Sequence, residues 1–200
     1  MFRRSSQSLP ADLSPVFRID LSKDMGLLLR LNAAGLVGLL AAGWGLTAYL
    51  QKMRPGEFDL GLLLTPVGAA GMVAALVVMV VLHEAVHGAL FWLFTGRRPQ
   101  VGIGPYYAYA AARGWYIPRR EYTLIGLAPL VVLTWLGLVM LRGAPDALLP
   151  GMFVFVVMNA AGSVGDIYII YTVWRHRSGI LIEDLGDGFV IFDRMKSGDI

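Results

Sequence analysis

Long apolar runs separated by short polar connections dominate the chain. Apolar side chains fill Met25–Leu50, with only Arg30 and Asn32 intruding near its start, then Leu60–Phe94, Tyr122–Leu141 and Leu148–Trp174. A helix needs about 20 such residues, at ~1.5 Å each, to cross a ~30 Å hydrocarbon layer, so each run is long enough to span a bilayer. Leu60–Phe94 is too long for one straight span, and Pro66, Gly68 and Gly71 mark a bend or a separate first piece, leaving about Ala70–Phe94 to cross. Pro129 predicts a kink in the third span. The fourth contains Asn159, Ser163 and Asp166. Between the second and third, Pro99–Ile117 is rich in Gly and Tyr and too broken for a helix, which predicts extended pieces: a hairpin at the membrane surface or a re-entrant loop. Its tyrosines suit either an interfacial belt or an edge strand that pairs with an extended substrate. Gly179–Asp193 reads as two short strands about Gly186-Asp187-Gly188, an Asp-Gly hairpin signal. The polar first 24 residues, with Pro10 and Pro15, read as a tail.

The expected fold class is therefore an all-α polytopic membrane protein of about four transmembrane helices, with an extended surface segment between spans two and three and a C-terminal β-hairpin. Residues 1–24 form the N-terminal tail, 25–174 the transmembrane domain and 175–200 a C-terminal tail carrying the hairpin. Composition agrees: 56% of residues are hydrophobic and only 16% charged, with a mean hydropathy of +0.63. A soluble globule of 200 residues cannot hide that much apolar surface. The first apolar run is longer than the core of a cleavable signal peptide and ends in no small-residue cleavage site. The absence of cysteine excludes disulfides and thiolate chemistry, and a formal charge of +3 is too small to argue for nucleic acid. The distribution of charge says more. Arg3, Arg4, Arg18 and Lys23 precede the first span, Arg97, Arg98, Arg113, Arg119 and Arg120 lie between the second and third, and Arg175, Arg177, Arg194 and Lys196 follow the fourth. Lys52, Arg54 and Arg142 are the basic residues of the other two connections. The positive-inside rule then places both termini in the cytoplasm of a multi-pass cell-membrane protein.

Candidate chemistry sits in the second span. His83-Glu84-Ala85-Val86-His87 puts two imidazoles on one helix face, one turn apart, with a carboxylate beside the first. This is the His-Glu-x-x-His arrangement of zinc peptidases: two ligands and, in Glu84, the general base for a zinc-activated water. Three fixed positions can recur by chance, but ionisable groups among Val-Val-Met-Val-Val-Leu are costly without partners. Catalytic zinc takes three protein ligands and keeps a position open. No third ligand follows within Gly88–Gly96; the acidic residue inside the fourth span is Asp166. His87 lies ten residues before Arg97 and Asp166 nine before Arg175, which matches their depths. One zinc ion per chain on His83, His87 and Asp166 is the expectation. Asn159, two turns before Asp166, and Ser163 are candidates for substrate or oxyanion contacts, with an interhelical hydrogen bond the other reading of Asn159. A polar path for water through Asn159, Ser163 and Tyr106-Tyr107-Tyr109 follows from the same set. His176, Glu183, Asp184 and Asp187 read as solvated.

The combination of His-Glu-Ala-Val-His-Gly in one span, Ala128-Pro129-Leu130 in the next and Asn-x-x-Gly-Ser-x-Gly-Asp in the last resembles a small bacterial family of zincin peptidases, long catalogued as a domain of unknown function. The resemblance covers about Leu82–Trp174. More distantly the chain is similar to site-two proteases, which pair such a helix with an aspartate on a later one. That similarity implies an intramembrane zinc metallopeptidase cleaving peptide or membrane-protein substrates within or beside the lipid, with Asp166 as third ligand. The chain departs from the site-two pattern in having no Leu-Asp-Gly around Asp166 and no inserted PDZ module. Two rival readings are a non-catalytic metal-binding membrane scaffold and a metal transporter. Three good ligands rather than four, and a glutamate with a hydrolytic use, favour the peptidase.

Overall fold

A computed structural model of the chain describes residues 5–21, 23–103 and 108–194. The element order is β1 (Leu13–Asp20), α1 (Met25–Met53), a 3-10 turn (Leu60–Leu64), α2 (Pro66–Thr95), β2 (Gln100–Ile103), β3 (Ala108–Ala111), β4 (Ile117–Pro118), α3 (Arg119–Gly143), a second 3-10 turn (Asp146–Leu148), α4 (Leu149–Gly162), α5 (Val164–Trp174), β5 (Leu181–Asp184) and β6 (Gly188–Arg194). Four helical stretches are long and apolar enough to cross a membrane: Met25–Met53, Pro66–Thr95, Arg119–Gly143 and Asp146–Trp174. Their outward faces are apolar. Trp44 is 79% exposed and Val37 66%, as suits side chains that meet lipid rather than water.

Local chemistry sets the helix ends. Asp24 accepts the Leu27 amide at 2.8 Å and so caps α1. Thr65 does the same for α2 through the Gly68 amide at 3.0 Å, and Pro66 takes the first helical position, where its missing N–H costs nothing. The expected break at Pro66 is thus a 3-10 turn followed by a fresh helix start. Gly96, at φ 69°, closes α2 in the left-handed conformation that glycine adopts most easily. The fourth span is two helices. α4 ends at Gly162, Ser163 is its C-cap, and α5 restarts at Val164.

By its contacts the chain falls into two compact units: the described residues of Met1–Arg30, Glu84–Leu127 and Asp166–Ile200, and those of Leu31–His83 and Ala128–Gly165. In the first, β1-β6-β5-β4 form an antiparallel sheet and β2-β3 a separate two-stranded ribbon. One cluster joins this sheet to its helices through Phe91, Ile117, Tyr122, Ile125, Ile170, Val173, Ile182 and Ile191. Leu13, Leu181, Val190 and Phe192 pack on the other sheet face, as the period of two along a strand requires. The second unit packs Leu46 and Leu50 of α1, Leu141 of α3 and Phe153, Val156 and Val157 of α4. There Arg54 ties its loop down by bonds to Glu57, the Ala144 carbonyl and Asp146.

Two expectations need correction. The N-terminal 24 residues are more than a tail: Leu13–Asp20 is a strand paired with β6 from Leu13↔Arg194 to Asp20↔Gly188. Pro15 sits beside the register shift between Pro15 and Phe17, an irregularity that accommodates a residue without an N–H. The C-terminal hairpin exists as expected but belongs to this four-stranded sheet, which also recruits Ile117–Pro118 from the Gly/Tyr-rich connection.

Candidate metal centre

The centre starts from α2, which presents His83 and His87 one turn apart, both buried. Each imidazole is oriented through its Nδ1. His87 Nδ1–H donates to the Ile125 carbonyl at 3.0 Å, and that carbonyl is available for a local reason. In a helix the oxygen of Ile125 would take the N–H of residue 129, but residue 129 is proline and has none. The orphan left by the proline in α3 becomes the anchor of a histidine. His83 Nδ1 lies 3.1 Å from Asn159 Oδ1. Asn159 donates both hydrogens of its amide nitrogen elsewhere, to the Pro129 carbonyl at 3.2 Å and to Thr134 Oγ1 at 3.1 Å. Its oxygen therefore faces His83, and His83 Nδ1–H is the donor. Both rings are held as the tautomer whose Nε2 carries the lone pair.

Asp166 occupies the first turn of α5, a favourable place for a carboxylate beside the positive end of a helix. Its Oδ1 lies 3.5 Å from His87 Nε2, beyond the usual N–H···O range. Two ligands ~2.1 Å from a common tetrahedral zinc would stand about 3.4 Å apart. One ligand atom from each of His83, His87 and Asp166 falls within 4.8 Å of the others. Two fixed imidazole lone pairs and a carboxylate oxygen at that spacing fit a zinc ion. Glu84 is half-buried beside His83, and with Asp166 it is a carboxylate whose charge bears on His87. Gly88, directly after His87, is where the β2-β3 ribbon meets α2: a Cβ there would stand 3.2 Å from Pro99 and 3.6 Å from Ala110.

Other expected residues take different roles. Asn159 is fully buried with both amide hydrogens committed, so it has none for an oxyanion; it positions His83. Ser163, also fully buried, donates its hydroxyl hydrogen to the Asn159 carbonyl at 2.8 Å and closes α4. The expected water path runs through both residues and three tyrosines. Of its tyrosines, Tyr106 and Tyr107 lie outside the described residues, and Tyr109 is packed over Gly102 and Gly186. His176 is half-buried, its Nδ1 3.0 Å from the Thr172 carbonyl and its ring 5.5 Å from that of Phe17. Glu183 accepts the Gly114 amide at 2.9 Å. Asp184 accepts the Tyr122 hydroxyl at 2.7 Å and the Gly186 amide at 2.8 Å, and burial pushes its carboxyl up to about 6. An Asp-Gly turn conceals such a residue, because the sequence shows the turn and not the tyrosine above it.

The family described as putative zincin peptidase matches residues 76–181, more than half of the chain. The chain belongs to this family. The match takes in α2 from two turns before the histidines, the β2-β3 ribbon, α3, α4, α5 and the start of β5. Membership of this zincin peptidase family accords with the resemblance read from the motifs. No curated protein and no solved structure matches the chain.

Proposed function

We propose that this member of the zincin peptidase family is an intramembrane zinc metallopeptidase that hydrolyses peptide bonds of membrane or membrane-proximal substrates. The carrying observation is the convergence of His83, His87 and Asp166 from α2 and α5, with Glu84 beside them. His83, His87 and Asp166 would hold a zinc ion, the first two through Nε2. Bound there, zinc supplies Lewis acidity, which acidifies water toward neutrality and polarises a scissile carbonyl. Glu84 accepts the proton of the attacking water and returns it to the leaving amine, so the peptide and one water become an acid and an amine. Ile125 and Asn159 keep the two imidazoles from rotating while this occurs. Among the described residues these three are the group placed to hold a metal, and three ligands leave a coordination position for substrate.

Both termini are assigned to the cytoplasmic face. The pairing of β1 with β6 supports a common side for the two ends of the described chain, and the basic residues near them favour the cytoplasmic one. The activity is tested by comparing the proteomes of cells carrying the wild type or Glu84→Gln. Substrates should accumulate uncleaved in the variant while its zinc content stays at the wild-type level. Normal cleavage by Glu84→Gln would remove Glu84 as the base.

A further inference from the structure

Asp184, at the end of β5, makes two hydrogen bonds that lead in different directions. One oxygen accepts the Tyr122 hydroxyl at 2.7 Å, the other the Gly186 amide at 2.8 Å. Tyr122 is buried in the first turn of α3, three residues before Ile125, so the two share a helix face. Ile125 is the residue whose carbonyl holds His87. Both pack in one cluster with Phe91, one turn beyond His87, and Ile170, one turn beyond Asp166. Asp184 stands close enough to His87 and Asp166 for its charge to act on both.

The Gly186 bond leads to the β2-β3 ribbon. Gly186 has φ 84° and lies against Tyr109 of β3, where a Cβ would stand 2.6 Å from the ring. Arg113 donates from Nε to the neighbouring Leu185 carbonyl at 2.8 Å, and its guanidinium sits 5.6 Å from the Tyr109 ring centroid. The ribbon in turn abuts α2 at Gly88, next to His87. One carboxylate thus ties the hairpin turn to α3 through Tyr122 and to the ribbon through Gly186. A buried hydroxyl needs an acceptor, and a carboxylate is a strong one. Removing Asp184 orphans the Tyr122 hydroxyl at the turn of α3 that orients His87.

We propose, on the zinc reading of the centre, that Asp184 is a positioning residue for it. Through Tyr122 it fixes the turn of α3 that orients His87, and through Gly186 the ribbon beside that histidine. The test loads the full chain in detergent with cobalt(II) in place of zinc, because the visible spectrum of cobalt follows ligand geometry, and measures affinity by competition against a chelator. Tyr122→Phe and Asp184→Ala should each weaken binding about 10–100-fold and alter the spectrum alike. The double variant should be little worse than either, as for two residues acting through one bond. Asp184→Asn should stay near wild type, since its amide still accepts from Gly186 and can donate to the Tyr122 oxygen. Phe192→Ala, on the other face of the sheet, should lower the melting temperature and leave the spectrum unchanged. A wild type that takes up no cobalt would overturn the zinc reading and the positioning role together. A wild type that binds it, beside a Tyr122→Phe protein of unchanged affinity and spectrum, would overturn the positioning role alone. So would an Asp184→Asn protein as impaired as Asp184→Ala, or a Phe192→Ala protein with the same altered spectrum.

Discussion

At the scale of single residues, the centre depends on two groups that touch no metal. Asn159 spends its whole side chain on holding His83 and tying α4 to α3 through Pro129 and Thr134. Its replacement by Ala leaves the His83 Nδ1–H without that acceptor and should weaken zinc binding about 10–100-fold in a competition titration against a chelator. Pro129→Ala makes a sharper prediction. The new N–H at 129 competes for the Ile125 carbonyl that His87 uses, so zinc affinity should fall while α3 itself is stabilised, giving weaker binding without a lower melting temperature. The cluster of His83, His87 and Asp166 was legible in the sequence because ionisable residues in an apolar span have few uses. Their supports were not. The acceptor for His87 is a backbone oxygen, and the sequence shows the proline that frees it without showing who takes it.

At the scale of elements, the spans were legible from length and hydropathy, and their edges from Asp24, Thr65 and Gly96. The division of the fourth span at Ser163 was hidden, since Gly162-Ser163-Val164-Gly165 reads equally well as a small-residue packing surface. Between helices, the closest approaches at glycine are on α3. A Cβ at Gly126 would stand 2.8 Å from Ile170 Cδ1 of α5, and Gly137 leaves still less room against the stiff Val156 of α4. Gly137→Leu should therefore destabilise the protein by about 1–3 kcal/mol, read as a lower denaturation midpoint in detergent, whereas Gly45→Ala, with open space around it, should not. The strand at Leu13–Asp20 was missed because its alternation is interrupted by Pro15 and its partner lies at the far end of the chain.

At the scale of the whole molecule, the β1-β6 pairing and the half-buried Asp184 make predictions of their own. The chain lacks cysteine, so Ser14→Cys with Asp193→Cys, register partners across the sheet, should form a disulfide under mild oxidant, and each single cysteine should be labelled from the same side. Asp184 has a folded carboxyl at about 6 against an ordinary 3.8, raised first by burial and partly restrained by Tyr122 and Gly186. A raised carboxyl favours folding when protonated. Its contribution, as much as roughly 3 kcal/mol, is full below about pH 4 and lost as pH rises through 6. Thermal melts of zinc-stripped protein should show a stability loss from pH 5 to 7.5 that Asp184→Asn abolishes, with His87 and Asp166 the other charges facing it. Whether the centre holds zinc is read by elemental analysis of the purified wild type beside His83→Ala and Asp166→Ala. The wild type should carry about one zinc per chain and either variant little. A wild type that binds no zinc when reconstituted, or an Asp166→Ala protein that keeps its full complement, would contradict it.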